Sequence, residues 1–385
     1  MFLSSAVILS ALALALDAPR VLADDFKPSV LGTPQVLGLV ADPHINRDSC
    51  GSARFGSREL WACRDSQPYD AEGHPTFPLY QSSASWTDFD LDGKPKIQAI
   101  NGSQTGLLCY GNNYEEPFYP VPENECHENS IGACPDQKSR SAIWPDSPPL
   151  VTSADLATGV IQAYTWITQS AIDFHQHALV VDPPTTLYSV YYDPAESGTA
   201  AGLPNVTIVQ ENFWTSDQLP YGSYGGVVAD GIAYLYGQNN ARSVGLARVP
   251  ADQVTNKTAY EFYVNGDWTS TVPGVNDTGV NILNVSAGGQ GTYYYSSIWK
   301  RFVWIGQACD DIGANFYITT SESPEGPWAK PSHFYTGSSD DSSISYTLQA
   351  HPGLLRSLDE NAIYLTWTTA NSTGYYMPLV YVQWQ

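Results

Sequence analysis

Beyond its first two dozen residues the chain carries almost no amphipathic helical periodicity. Short runs rich in Tyr, Trp, Val and Thr alternate with clusters of Gly, Pro, Asn and Asp. A chain written this way has to pair strands again and again. The runs fall into groups: Ser141 to Trp144, Val160 to Thr168, Ala178 to Val181 and Leu187 to Tyr192 form one. Gly225 to Val228, Ile232 to Gly237, Val244 to Val249 and Tyr260 to Val264 form the next. Thr292 to Ile298, Phe302 to Gly306, Phe316 to Thr320 and His333 to Tyr335 follow, then Tyr346 to Leu355, Ile363 to Thr368 and Leu379 to Trp384. With an opening hairpin and its followers, Leu79 to Thr87 and Pro95 to Ile100, this makes five units of about four strands. Radial repetition of that kind predicts an all-β, five-bladed β-propeller, a single domain over residues 24–385. A pair of β-sandwiches is the rival architecture. The last unit lacks a strand after Trp384. The run Gln35 to Ala41 is expected to supply it and close the ring, hiding the sheet edges.

The opening hairpin, Arg47 to Gln67, carries the chemistry. Phe55-Gly56-Ser57-Arg58 is a turn between two strand-like runs. Folding about the Gly56–Ser57 bond sets Asp48 opposite Asp65 and Cys50 opposite Cys63, with both pairs on one face. Opposed carboxylates destabilise a sheet unless something is gained, and a shared proton with one raised pKa suits acid/base work. Aspartates at the mouths of hairpins also serve as plain turn and cap residues, and a bulge would shift the register.

Met1 to Ala23, with its apolar run Ala6 to Leu16, reads as a secretory signal peptide, and no later run approaches a membrane span. The protein is expected to be secreted and extracellular. Six N-x-[ST] sequons, at Asn101, Asn205, Asn256, Asn276, Asn284 and Asn371, fit a glycoprotein. A net charge of −22 argues against nucleic acid or an anionic membrane as partner. A carbohydrate partner and a monomer are expected. Six cysteines in an oxidising compartment should pair; Cys50–Cys63 follows from the register, leaving Cys109, Cys126, Cys134 and Cys309. Three of these sit in 101–138, read as a Cys-rich surface insertion between blades one and two. No cofactor is expected, although Asp310, Asp311, Asp340 and Asp341 could hold a structural calcium.

The segments Leu235 to Pro250 (LYGQNNARSVGLARVP), Ile318 to Trp328 (ITTSESPEGPW) and Gln349 to Leu355 (QAHPGLL) resemble the secreted family known as domain of unknown function 4185, in a fungal-type form. That family includes glycoside hydrolases acting on D-arabinan. The resemblance implies a five-bladed propeller with its active site in the axial funnel. It also implies that Arg47-Asp48-Ser49-Cys50 and Arg64-Asp65-Ser66 stand where the family carries its paired catalytic aspartates. Arg64 replaces a family glycine. Asp42-Pro43-His44-Ile45 also looks like the opening of other five-bladed glycosidases, whose first aspartate is the general base, so Asp42 is the alternative to Asp48.

These readings converge on a glycoside hydrolase of arabinanase or arabinofuranosidase type, with Asp48 and Asp65 as catalytic pair. Acetal cleavage needs one carboxylic acid and one carboxylate. Arg47 and Arg64 flank the pair and could keep one carboxylate ionised while the other holds its proton. Asp42, His44, Asp146 and His351 are candidates for binding substrate; Trp144, Tyr224 and Tyr294 are candidates for stacking on sugar faces. Glu211 is a more remote acid. The alternative function is a non-catalytic, lectin-like propeller.

Overall fold

The computed structural model describes residues 26–385 apart from 103, 113–114, 129–130, 339–343, 358 and 372–373. The expected signal segment, Asp340 and Asp341, and the side chains of Asn101 and Asn371 lie outside the described residues. Helix is confined, among the described residues, to three single 3₁₀ turns. The strands are arranged as a five-bladed β-propeller.

The innermost strands of the blades are Cys50–Phe55, Leu150–Ala154, Gly225–Ala229, Gly288–Ser296 and Tyr346–Ala350. Each touches the next in cyclic order, and the fifth touches the first. Behind them the strands run outward as antiparallel meanders. Blade two continues through Ile161–Thr168, Thr185–Tyr192 and Asn205–Trp214. Blade three continues through Ile232–Gln238, Val244–Pro250 and Glu261–Val264, and blade four through Arg301–Ala308, Asn315–Ser321 and Ser332–Thr336.

What holds the blades together is apolar packing between them. There are five core clusters among the described residues, and each fills one junction between neighbouring blades. Trp86 and Ile161 pack between blades one and two, Trp214 and Phe262 between two and three, and Tyr236 stacks on Tyr293 at 3.8 Å between three and four. Large aromatic faces suit this role because each buries a broad flat area against a twisted sheet. Sheets stacked this way have few free edges to protect.

Blade five closes the ring as expected. Gln35–Ala41 pairs antiparallel with the last strand, Gly374–Gln383, so both ends of the chain share one sheet. The same strand then pairs in parallel with Gln104–Leu108, which carries Ile97–Asn101 beyond it. Two predictions therefore need correcting. The run 95–100 belongs to blade five, not blade one, and blade one keeps only Cys50–Phe55, Arg58–Cys63 and Ser83–Asp88. The parallel contact is possible because Gly38 and Gly106 face each other's backbone, where any side chain would collide with Thr105 O or Leu39 O. Likewise Ser139–Ala142 is not a strand of the blade-two sheet. It pairs with Ser170–Asp173 in a separate two-stranded ribbon, and 178–181 is loop.

The hairpin register is as read: Cys50 pairs with Cys63 and Arg47 with Ser66. Those two cysteines form a disulfide, as do Cys126 and Cys134. Full pairing of the six cysteines does not occur. Cys109 is enclosed between blades five and one and Cys309 follows blade four's second strand, so both keep free thiols.

Removing residues 26–41 would bare the edges of Gly374–Gln383 and Gln104–Leu108. We expect the truncated chain to self-associate and to lose cooperative thermal unfolding. A truncated chain that runs as the full one does on size exclusion and melts at the same temperature would contradict this.

Candidate functional site

The disulfide clamps the hairpin one residue short of a break in its ladder. Ser49 takes φ +49°, while Arg64 N–H reaches Asp48 O at 2.9 Å and Asp48 N–H reaches Asp65 O at 2.9 Å. The two aspartates are thus held opposite each other at the hairpin mouth. Gly51 leaves room beneath them for Pro148 of the turn that enters blade two, which a Cβ would meet at 3.1 Å. That turn, Trp144-Pro145-Asp146-Ser147, brings the third carboxylate.

Each carboxylate has its own partners. Asp65 is gripped through both oxygens by Arg140, whose Nη1 donates to Oδ1 at 3.0 Å while Nη2 bonds Oδ2. Asp146 pairs with Arg64 and accepts a hydrogen bond from Gln290 Nε2 at 3.4 Å. Asp48 Oδ1 accepts from Ser49 Oγ at 2.7 Å and from the Tyr346 hydroxyl at 2.7 Å. The guanidiniums of Arg64 and Arg140 both lie over the Trp144 ring, at 5.5 and 5.7 Å. The indole therefore supports the two arginines. A further hydrogen-bonded string, Ser49 Oγ to Thr347 Oγ1 to Gln290 Oε1, each step 2.8 Å, ties blades one, five and four together around the axis.

The electrostatics separate the carboxylates. Burial raises the pKa of Asp48; the charge of Arg64 and the hydrogen bonds from Tyr346 and Ser49 hold it back, and the charge of Asp65 adds the smallest push. Burial thus favours the protonated form of Asp48, whereas Asp65 is committed to Arg140. The Tyr375 hydroxyl is pushed up to about 12 by burial and then by the charges of Asp48 and Asp65, so it lies within electrostatic reach of both.

Asp48, Asp65, Arg64, Trp144 and Asp146 are brought together. Arg47 is not among them: its Nη1 donates to Ser85 Oγ at 2.7 Å, and Ser85 Oγ donates to Asp42 Oδ2 at 2.8 Å. Asp42 caps its own turn through His44 N–H at 3.0 Å, with His44 exposed on the surface. Arg47, Ser85 and Asp42 form a separate buried network beside blade one. His351 is fully buried, with Nδ1 2.7 Å from Ser52 Oγ and Nε2 2.7 Å from Thr366 Oγ1, and burial lowers its pKa to about 3. It is a neutral structural histidine. Tyr294 packs between blades four and five, and Tyr224 lies in the blade three–four core with its hydroxyl on Gly289 O at 2.5 Å. Glu211 lies on blade two's outer strand, bonded to Glu123 N–H.

Arg140, Tyr346, Tyr375 and Gln290 escaped the sequence reading. Arg140 sits between two serines with nothing to mark it, and the tyrosines are two of twenty-five. Asp310 pairs with Arg242, and Asp311 is spent on Gly313 and Asn315. No group of three or more metal-ligating side chains converges among the described residues.

A family model described as domain of unknown function DUF5005 matches residues 199–366, which contain all three motif segments quoted above. No curated protein matches. A candidate hydrolase from Bacteroides ovatus shares the fold with TM-score 0.53 at 15% identity, covering 90% of this chain and 87% of that one. An exo-β-1,3-galactanase from Phanerochaete chrysosporium aligns with TM-score 0.47 at 11% identity, over 92% of this chain and 67% of that one. Glycoside hydrolases are thus among the structural neighbours.

Removing the Arg140 guanidinium would strand Asp65. Arg140→Met should cost about 3–5 kcal/mol in denaturant unfolding, and Asp65→Asn in the same background should recover part of it. Equal stability of Arg140→Met and wild type would contradict the pairing.

Proposed function

We propose that the protein is a secreted glycoside hydrolase working by acid/base catalysis at the propeller axis. The observation that carries the reading is the division of labour among three neighbouring carboxylates: one buried and raised, two paired with arginines. Asp48 is the proton donor. Its proton passes to the glycosidic oxygen as the bond to the anomeric carbon breaks, giving an oxocarbenium-like transition state. Asp65, locked by Arg140, places a fixed negative charge beside that developing positive charge. Asp146, the most open of the three with its side chain 37% exposed, accepts a proton from the attacking water, whose hydroxyl goes to the anomeric carbon. An arabinofuranose-type polysaccharide, D-arabinan-like, is the first substrate to test, following the sequence resemblance. A lectin-like reading draws support from one fact: both oxygens of Asp65 are already occupied.

Reducing-end release from D-arabinan, L-arabinan and plant and fungal wall polysaccharides tests the proposal. Asp48→Asn, Asp65→Asn and Asp146→Asn should each lose about 10²–10⁴-fold. On an aryl glycoside with an activated leaving group only Asp48→Asn should recover, because that substrate needs no acid. Release that survives all three substitutions sinks the assignment; binding without release favours the lectin.

The pH profile gives a second check. A general acid is active while protonated, so activity falls as pH rises through the pKa of Asp48. Tyr346→Phe removes a hydrogen bond that lowers this pKa, so the falling limb should move to higher pH. A limb that stays put or moves down contradicts the role.

A further inference from the structure

A cleft of about 300 Å³ opens from Asp146 outward between blades two and three. Its size falls at the lower end of ordinary ligand pockets. Its two walls differ in chemistry. One is the ribbon and loop 170–183, which offers Ile172, Ala178, Val180 and Pro183; Val180 is 43% exposed although apolar. The other, from blade three, offers Ser223, Gln238 and Asn240. At the outer end Asn240 N–H donates to Asp182 Oδ1 at 2.6 Å, fixing the distance between the walls. Asp146 and Asp182 are the charged side chains of the lining, and none of the lining residues is basic.

Such a space matches a molecule with one apolar and one hydroxyl-bearing side and no negative charge. We propose that this cleft is the binding site for a neutral sugar segment, with C–H faces against the 172–183 wall and hydroxyls toward the amides of blade three. Asp146 is paired with Arg64, so Asp182, in a lining without a cation, supplies the charge that disfavours uronic acids and other anionic sugars. The proposal rests on the glycosidase reading only for its orientation, with the bond to be cut lying at the Asp146 end.

The position of the cleft follows from the chain. Ser139–Ala142 carries Arg140 to Asp65, and its ribbon partner Ser170–Asp173 leads into the apolar wall. One ribbon thus sets both the charge beside the axis and the width of the cleft.

The test uses titration calorimetry on full-length Asp48→Asn protein, which should not turn substrate over. The probes are arabino-, galacto- and xylo-oligosaccharides, with oligogalacturonate as the anionic counterpart. At least one neutral probe should bind and the galacturonate should not. Val180→Asp and Asn240→Ala, each combined with Asp48→Asn, should weaken that binding roughly five- to tenfold. Leu91→Asp, on a fully exposed residue outside the cleft lining, should leave it unchanged. Unchanged binding in both cleft variants overturns the proposal, as does galacturonate binding as tight as the neutral probe, or no neutral binding at all. Wild-type hydrolysis is read separately. Neutral binding through the cleft without hydrolysis removes the glycosidase reading and leaves the cleft, whereas hydrolysis indifferent to the cleft variants does the reverse.

Discussion

The grip of Arg140 on Asp65 joins the two-stranded ribbon beside blade two to blade one at the axis, and the site is arranged around it. The arginine side chain is 4% exposed and the aspartate 11%, so the pair is sheltered from the solvent screening that makes surface ion pairs weak. A buried pair of this kind is a poor source of net stability, since desolvation takes back much of the Coulombic gain. Its value lies in position. With Asp65 paired to Arg140, and Arg64 turned to Asp146, Asp48 meets little repulsion from its neighbours and is governed mainly by burial.

That arrangement depends in turn on the disulfided hairpin. Cys50–Cys63 keeps the two strands in register up to Ser49, where the backbone leaves the ladder and lets Asp48 and Arg64 turn toward the axis. Behind it a second buried network, Glu59 with Ser52 and His351, fills the junction of blades one and five. Burial moves its titratable groups in opposite directions, Glu59 up to about 8 and His351 down to about 3, disfavouring the charged form of each.

The fold was legible because its determinants are local. Alternating runs and turn residues mark the strands, and a missing last strand asks for an N-terminal partner; Gln35–Ala41 met that demand. The hairpin register was legible for the same reason, since a tight turn fixes what faces what. Long-range choices were not. Nothing near residues 95–108 reveals that this hairpin joins blade five, because the contact is made possible by two glycines, Gly38 and Gly106, far apart in sequence. The partners of the carboxylates were hidden likewise: Arg140 is separated from Asp65 by 75 positions and Tyr346 from Asp48 by 298. Proximity to Asp48 suggested Arg47, but the alternation of side chains along a strand sends residues 47 and 48 to opposite faces.

The central claim is that burial raises the pKa of Asp48 above that of an ordinary aspartate. The most direct measurement is a carboxyl ¹³C titration of the folded protein by NMR, with Asp48→Asn identifying the resonance. The account predicts a midpoint for Asp48 clearly above the ordinary value of 3.8, and a further rise in Tyr346→Phe. A midpoint at or below that value would mean that Asp48 is a plain carboxylate at the axis, and the assignment of the proton donor would fall.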